Sequence, residues 1–354
     1  MKMRLKNLLA YAIVATLSGS IYCAKYEELD FNVGYMENAL FKSNPVSLTV
    51  KMHEGAGFFA EMHKLMLALI HYEERGFARV YVDWTDEFFP YKDDAHENGW
   101  DLFFEPIPAD PISKNTPVDE ITINSGITHE LHDQVCTAPW VAYKKYLPYR
   151  QFVHEKMNKY IKIKPHILLK RDQFYEQHMQ DKICIGVHAR IARAHAWLMP
   201  GKKLPTLDEY FAEVDALLEK HADQEVIIFV ASDSHDAVDE FRKRYKETAI
   251  YIDAHRANAD RDPCIMYTMG EYMRNNPEVW HKQKHKYSGG ESTMLDCLLL
   301  AKCDYFIHTT SNLAFFSCYY NPDIEAIYLP KAVPFKQCRY KDDPQVMNKA
   351  LNPV

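Results

Sequence analysis

The chain has 354 residues, 47% of them apolar and 13% aromatic, enough for one large core or two medium ones. Charged residues make up 26%, and nothing in that composition points to disorder. A formal net charge of −7 argues against a non-specific nucleic-acid binder, which needs a basic surface to displace counterions, but leaves room for a local basic pocket.

Lys2, Arg4 and Lys6 precede an uncharged run from Leu8 to Ala24, closed by Lys25, Glu27 and Glu28. A basic start followed by an apolar run reads as a signal peptide or a membrane anchor over residues 1–24. The run is borderline for spanning, which usually takes about 20 residues, and Ser18 and Ser20 offer a small-x-small cleavage pattern. A buried N-terminal helix is the alternative. With the positive charge retained inside, the rest of the chain would be delivered across the membrane.

Val46 to Met52 alternates as a strand, and His53-Glu-Gly-Ala-Gly57 makes a glycine loop. Phe58, Met62, Leu65, Met66 and Leu69 then recur at helical spacing until Gly76, and Ala78 to Trp84 is the next strand. This βαβ unit begins a parallel sheet. Pro106, Pro108, Pro111 and Pro117 mark an irregular loop, followed by a helical, aromatic and basic stretch from about Val141 to Lys170.

The second half is more regular. Ile183 to His188 is a short apolar run of the kind buried on both faces of a sheet. Thr206 and Glu209 form a capping box before an amphipathic helix, and Glu225 to Ala231 is a strand that Ser232-Asp-Ser234 closes. Ala249–Ile252, Tyr305–Thr310 and Ala326–Leu329 read as strands, with helices over Glu291–Lys302 and Asn312–Tyr320. The alternation predicts a doubly wound α/β sheet. Domains are expected at 25–170 and 171–354. The eight cysteines show no CxxC spacing; Cys184 and Cys297 sit in apolar segments as small hydrophobes, and one or two disulfides stay open.

Ligands of doubly wound sheets bind beyond the carboxyl ends of the strands. Those ends hold His188-Ala-Arg190, Ser232-Asp233 and Thr309-Thr310-Ser311-Asn312, the last just before a helix. A guanidinium, hydroxyls and free backbone N–H groups along one edge are what a diphosphate needs. The competing reading makes Arg190 a structural ion-pair former and the Thr/Ser cluster a helix cap.

Ile183-Cys-Ile-Gly-Val-His-Ala-Arg190 resembles the first signature motif of the α1,6- and O-fucosyltransferase superfamily, Phe229-Val-Ala-Ser-Asp233 its second, and Gly289 to Asp296 through Cys303 to Asn312 its third. The loop Gly55-Ala-Gly57-Phe-Phe-Ala-Glu-Met-His63 looks like its glycine-rich acceptor-domain loop, and the likeness is greatest to the nodulation-type and core α1,6 branch. The resemblance implies a GT-B-like fold of two Rossmann-like domains facing a cleft, with GDP-fucose as donor substrate and no metal or other cofactor. It implies transfer with inversion to a GlcNAc-containing glycan acceptor. Arg190 would hold the β-phosphate and stabilise departing GDP; His188 and Asp296 would contact the guanosine. Asp233, Thr310, Ser311 and Asn312 complete the donor contacts, and Gly55 and Gly57 let the backbone approach.

The pattern breaks after Arg190, where Ile191 stands in place of a second arginine and Ala192-Arg193-Ala194-His195 follows. Arg193 could restore the cation. His195 is the nearest candidate base, since imidazole titrates near neutrality; Glu61 is another. Asp260-Arg-Asp262 matches a metal-binding DxD, and His281 and His285 stand at i, i+4, but both fall in polar segments that chance explains. A transferase using another nucleotide sugar, or a non-catalytic nucleotide- or glycan-binding relative, remains as an alternative. An anchored enzyme in a Golgi-type lumen fits the N-terminus, with a bacterial exported or cytoplasmic protein as the other reading.

Overall fold

The computed structural model of the chain describes residues 44–52, 57–86, 89, 91–123, 147–191, 204–254, 256 and 286–329. Its first sheet has three parallel strands, β1 (Val46–Lys51), β2 (Phe77–Asp83) and β3 (Asp119–Ile123), with β1 in the middle. Helix α1 (Phe58–Tyr72) crosses from β1 to β2. The crossover ends in a single 3₁₀ turn, Glu73–Arg75, and in Gly76 at φ 73, a backbone conformation that costs a residue with a Cβ. Strand β3 was not expected from the sequence. Asp119 and Glu120 open it and only Ile123 is fully buried, so its apolar signal is short. Asp119 is fixed instead by an ion pair with Arg75 and by the Asn44 amide, which donates to it at 3.2 Å.

A four-residue helix, α2 (Trp100–Phe103), is followed by α3 (Leu147–Tyr160) and α4 (Pro165–His178). The helical stretch expected up to Lys170 is therefore two helices. Pro165 is the cause: its ring pushes Lys164 to ψ 136, out of the helical region, and Pro165 itself becomes the first residue of α4. The domain boundary expected at 170/171 falls inside α4, which packs against the C-terminal half.

That half contains β4 (Ile183–His188), α5 (Leu207–Lys220), β5 (Val226–Ala231), α6 (His235–Tyr245), β6 (Ala249–Ile250), α7 (Lys286–Leu300), β7 (Tyr305–His308), α8 (Asn312–Tyr320) and β8 (Glu325–Tyr328). All five strands are parallel, in the order β6-β5-β4-β7-β8. The two-residue period of a strand assigns each side chain to a face. Cys184, Ile227, Phe229 and Phe306 join the core under α4, α7 and α8. Ile185, Val187, Ile228, Val230 and Ile307 join the core under α5 and α6. Thr206 caps α5 through the expected capping box with Glu209. Helix α7 starts at Lys286 rather than Glu291, because Gly289 and Gly290 are helical here despite their low propensity.

The first of these cores is shared. It holds Val46, Phe58, Met62 and Trp84 of the N-terminal half together with Leu298, Phe315 and Phe316 of the C-terminal half. Cys184, Cys297, Cys303 and Cys318 are buried free thiols, while Cys23, Cys136, Cys264 and Cys338 lie outside the described residues. Among the described residues no helix is long and apolar enough to cross a membrane; the segment 1–24 lies outside them.

Candidate functional site

The strand order reverses between β4 and β7, so the chain leaves β4 towards α5 on one face and leaves β7 into α8 on the other. Such a switch point opens a crevice at the carboxyl ends of the strands. The register pairs Val187 with Ile307 and His188 with Ala231, which brings the ends of β4, β5 and β7 to one edge. His188 is buried there.

Arg190 follows two residues on. Its backbone N–H donates to the Tyr210 hydroxyl at 3.2 Å, fixing the turn. Loss of water around the guanidinium pushes its pKa down, opposed by Asp233, Tyr210 and Tyr91. Tyr91 belongs to the N-terminal half, where its ring stands edge-on to Phe58 at 5.5 Å, so the cation faces both halves. Asp233 is exposed at the end of β5. Its neighbour Ser232 donates to the Ala189 carbonyl at 2.6 Å and accepts the Ser234 N–H at 3.1 Å, pinning the two strand ends together.

On the opposite wall, Thr310 and Asn312 are engaged by the protein. The Thr310 hydroxyl lies 2.8 Å from the Tyr328 hydroxyl, and the Asn312 amide oxygen accepts from His63 Nδ1 at 2.9 Å. Ser311 is the N-cap of α8, yet its side chain makes no capping hydrogen bond. What this end of α8 offers a ligand is chiefly its backbone N–H groups and the positive end of the helix dipole.

Asp296 occupies the middle of α7 and is buried, with Oδ1 lacking a hydrogen-bond partner among the described residues. Burial pushes its carboxyl up to about 7, with Arg256 pulling the other way. Arg256 is itself buried and donates to the carbonyls of Ser232 at 3.0 Å and Ala254 at 3.3 Å, which ties the pair to the end of β5. His308, at the end of β7, is fully buried and held neutral, its pKa lowered to about 4 mainly by loss of water.

Gly57 caps α1 with an ordinary φ of −79, and a Cβ there would meet nothing within 4 Å among the described residues. Gly55, Arg193 and His195 lie outside the described residues, as do Asp260, Asp262, His281 and His285. Glu61 is not a solvated helix residue: it is 1% exposed and pairs with buried Lys64 at 2.8 Å. Ile191 packs against the α5/α6 core, so the position after Arg190 is apolar in structure as well as in sequence. Among the described residues no group of three His, Cys, Asp or Glu is disposed to hold a metal.

Sequence reasoning did not find Tyr91, His63 or Arg256. Arg256 follows the end of β6, and the strand-end rule could have reached it. Tyr91 and His63 carry no local signal, since their partners lie in the other half of the chain.

Fold and site thus define a class: a doubly wound α/β protein with polar and charged side chains gathered at its switch point. Solved structures similar to this chain include NodZ α-1,6-fucosyltransferase soaked with GDP-fucose, at 15% identity over 78% of this chain and 93% of that one, with a TM-score of 0.45. POFUT1 in complex with GDP-fucose is similar at 10% identity over 81% and 98%, with a TM-score of 0.42. The R284K mutant of Arabidopsis thaliana FUT1 in complex with GDP is similar at 9% identity over 87% and 77%, also with a TM-score of 0.42. No protein-family profile matches the chain, and no curated protein matches it in sequence.

Proposed function

We propose that this chain is a GT-B-like, metal-independent glycosyltransferase that moves fucose from GDP-fucose to a hydroxyl of a GlcNAc-containing glycan, with inversion. The observation that carries the reading is that Arg190 and the N-terminus of α8 follow two neighbouring strands, β4 and β7, at one edge of the sheet, with the Ser311 side chain leaving that helix end uncapped. The two are complementary to a diphosphate, one as a bidentate cation and the other as a row of aligned N–H groups. Asp296 supplies a buried carboxylate for a ring bearing adjacent N–H donors, as guanine does.

In this reaction the acceptor hydroxyl oxygen forms a bond to the anomeric carbon as the bond from that carbon to the β-phosphate oxygen breaks. Negative charge grows on the departing GDP, and Arg190 with the α8 dipole stabilises it where water is scarce. The acceptor's proton goes to His195, the proposed base. Residence in a Golgi-type lumen behind a type II anchor is part of the proposal and rests on the composition of residues 1–24 alone.

Isothermal titration should give saturable binding of GDP and GDP-fucose, weaker binding of UDP, and transfer activity that falls by about 10²-fold or more in Arg190→Ala, the scale of losing one oxyanion-type contact. Absence of GDP binding, or full transfer by Arg190→Ala, overturns the assignment. The apolar packing of Ile191 favours one second reading, a relative that binds the nucleotide without turning it over. That protein would bind GDP normally and release no GDP from GDP-fucose with any acceptor.

A further inference from the structure

A cavity of about 530 Å³ lies away from the crevice, where the α3–α4 connection meets the carboxyl-terminal ends of α7 and α8. Lys162, Arg171 and Lys302 surround it, Ile161 and Leu298 form apolar wall, and Tyr320 reaches it from α8.

Charge is unevenly matched around this cavity. In the basic run leading to it, Lys156 and Lys159 both pair with Glu73, Lys164 pairs with Glu105 at 3.0 Å, and Lys170 with Glu291 at 2.6 Å. Arg171 is paired with the adjacent Asp172 at 2.7 Å. Lys162 instead donates to the Asn158 carbonyl, and Lys302 lies over the Tyr175 ring at 5.3 Å. Among the described residues these two have no carboxylate partner, and both line the same cavity. Tyr320 lines the cavity, with its hydroxyl buried away from solvent.

We propose that this cavity is a second ligand site, taking a small molecule that carries a phosphate or sulfate group on an apolar ring or chain. Lys162 and Lys302 neutralise the oxyanion at the mouth, and the apolar walls take the body. The volume falls within the usual range for small-molecule pockets. The apolar wall is what separates this site from a patch of surface lysines, which would hold an inorganic ion only weakly. The inference stands independently of the donor reading above.

The test is isothermal titration with 4-nitrophenyl phosphate, 4-nitrophenyl sulfate and inorganic phosphate, on the full chain carrying Arg190→Ala, so that the proposed diphosphate site does not contribute. We expect saturable binding of at least one ester, about tenfold or more tighter than inorganic phosphate. The pair Lys162→Gln and Lys302→Gln, both exposed side chains, should weaken it by about tenfold with an unchanged melting curve. No saturable binding of either ester, binding no tighter than inorganic phosphate, or undiminished binding in the double lysine variant each overturns the proposal.

Discussion

Asp296 loses its water inside α7 while Arg256, the counter-charge that acts on it, is held by two backbone carbonyls, so the carboxyl keeps its proton up to about pH 7. The unfolded chain gives that proton up near the ordinary carboxylate range. Between about pH 4 and 7 the folded state therefore binds more protons than the unfolded one, and stability falls as pH rises through that window before levelling off. The fall amounts to about 4 kcal/mol if Asp296 acts alone. Urea midpoints of the wild type should drop across pH 4.5 to 7.5, and Asp296→Asn should remove that part of the slope. Under the proposed function, donor binding runs the other way. A carboxylate that accepts from guanine N–H groups must be ionised, so GDP affinity should weaken about tenfold per pH unit below 7, and that dependence should vanish in Asp296→Asn. A flat wild-type binding profile would remove Asp296 from the base contact. At this scale the sequence was readable in position: Arg190 and Asp233 follow strand ends and Ser311 begins a helix. It was silent about His63 because its partner Asn312 is 249 residues away, and no local pattern encodes such a pair.

Among the elements, α7 shows how packing overrides propensity. Its two glycines differ in what surrounds them. A Cβ on Gly290 would lie 2.5 Å from Phe103 Cζ and 2.9 Å from Tyr91 Cβ, both in the N-terminal half, whereas a Cβ on Gly289 would only reach ordinary contact with Tyr91 at 3.9 Å. Gly290→Ala should therefore destabilise the protein by about 1–3 kcal/mol through overpacking. Gly289→Ala should stabilise it by about 0.5–1 kcal/mol through helix propensity. Chemical denaturation of the two variants checks both, and equal effects would mean that the contact with Phe103 is not made. The same comparison explains which elements were legible. Helix α5 announced itself with Thr206, Glu209 and an apolar stripe. The start of α7 was hidden by Gly289 and Gly290, the second of which closely approaches the other half, and β3 by Asp119 and Glu120, the first of which pairs with Arg75.

For the molecule as a whole, the shared core decides cooperativity. Phe59 packs on Phe316 at 5.2 Å, His63 lies among Phe315, Phe316 and Tyr319, and Arg150 of α3 donates to the carbonyls of Pro322 and Ile324, each at 3.1 Å. Calorimetry should show one transition with equal calorimetric and van't Hoff enthalpies, and two resolved transitions would contradict a common core. Strand and helix periodicity report what an element buries but not which sheet it is buried against. Helix α4 makes this concrete, with Phe174 standing edge-on to Phe229 of β5 at 5.8 Å. Anyone dividing the gene to express the C-terminal half alone should thus avoid a cut at residue 171, which would split that helix and strip α8 of its cover. A fragment that begins ahead of Leu147 carries α3 and α4 with the sheet they shield, although the α1 side of α8 would still need replacement by polar surface.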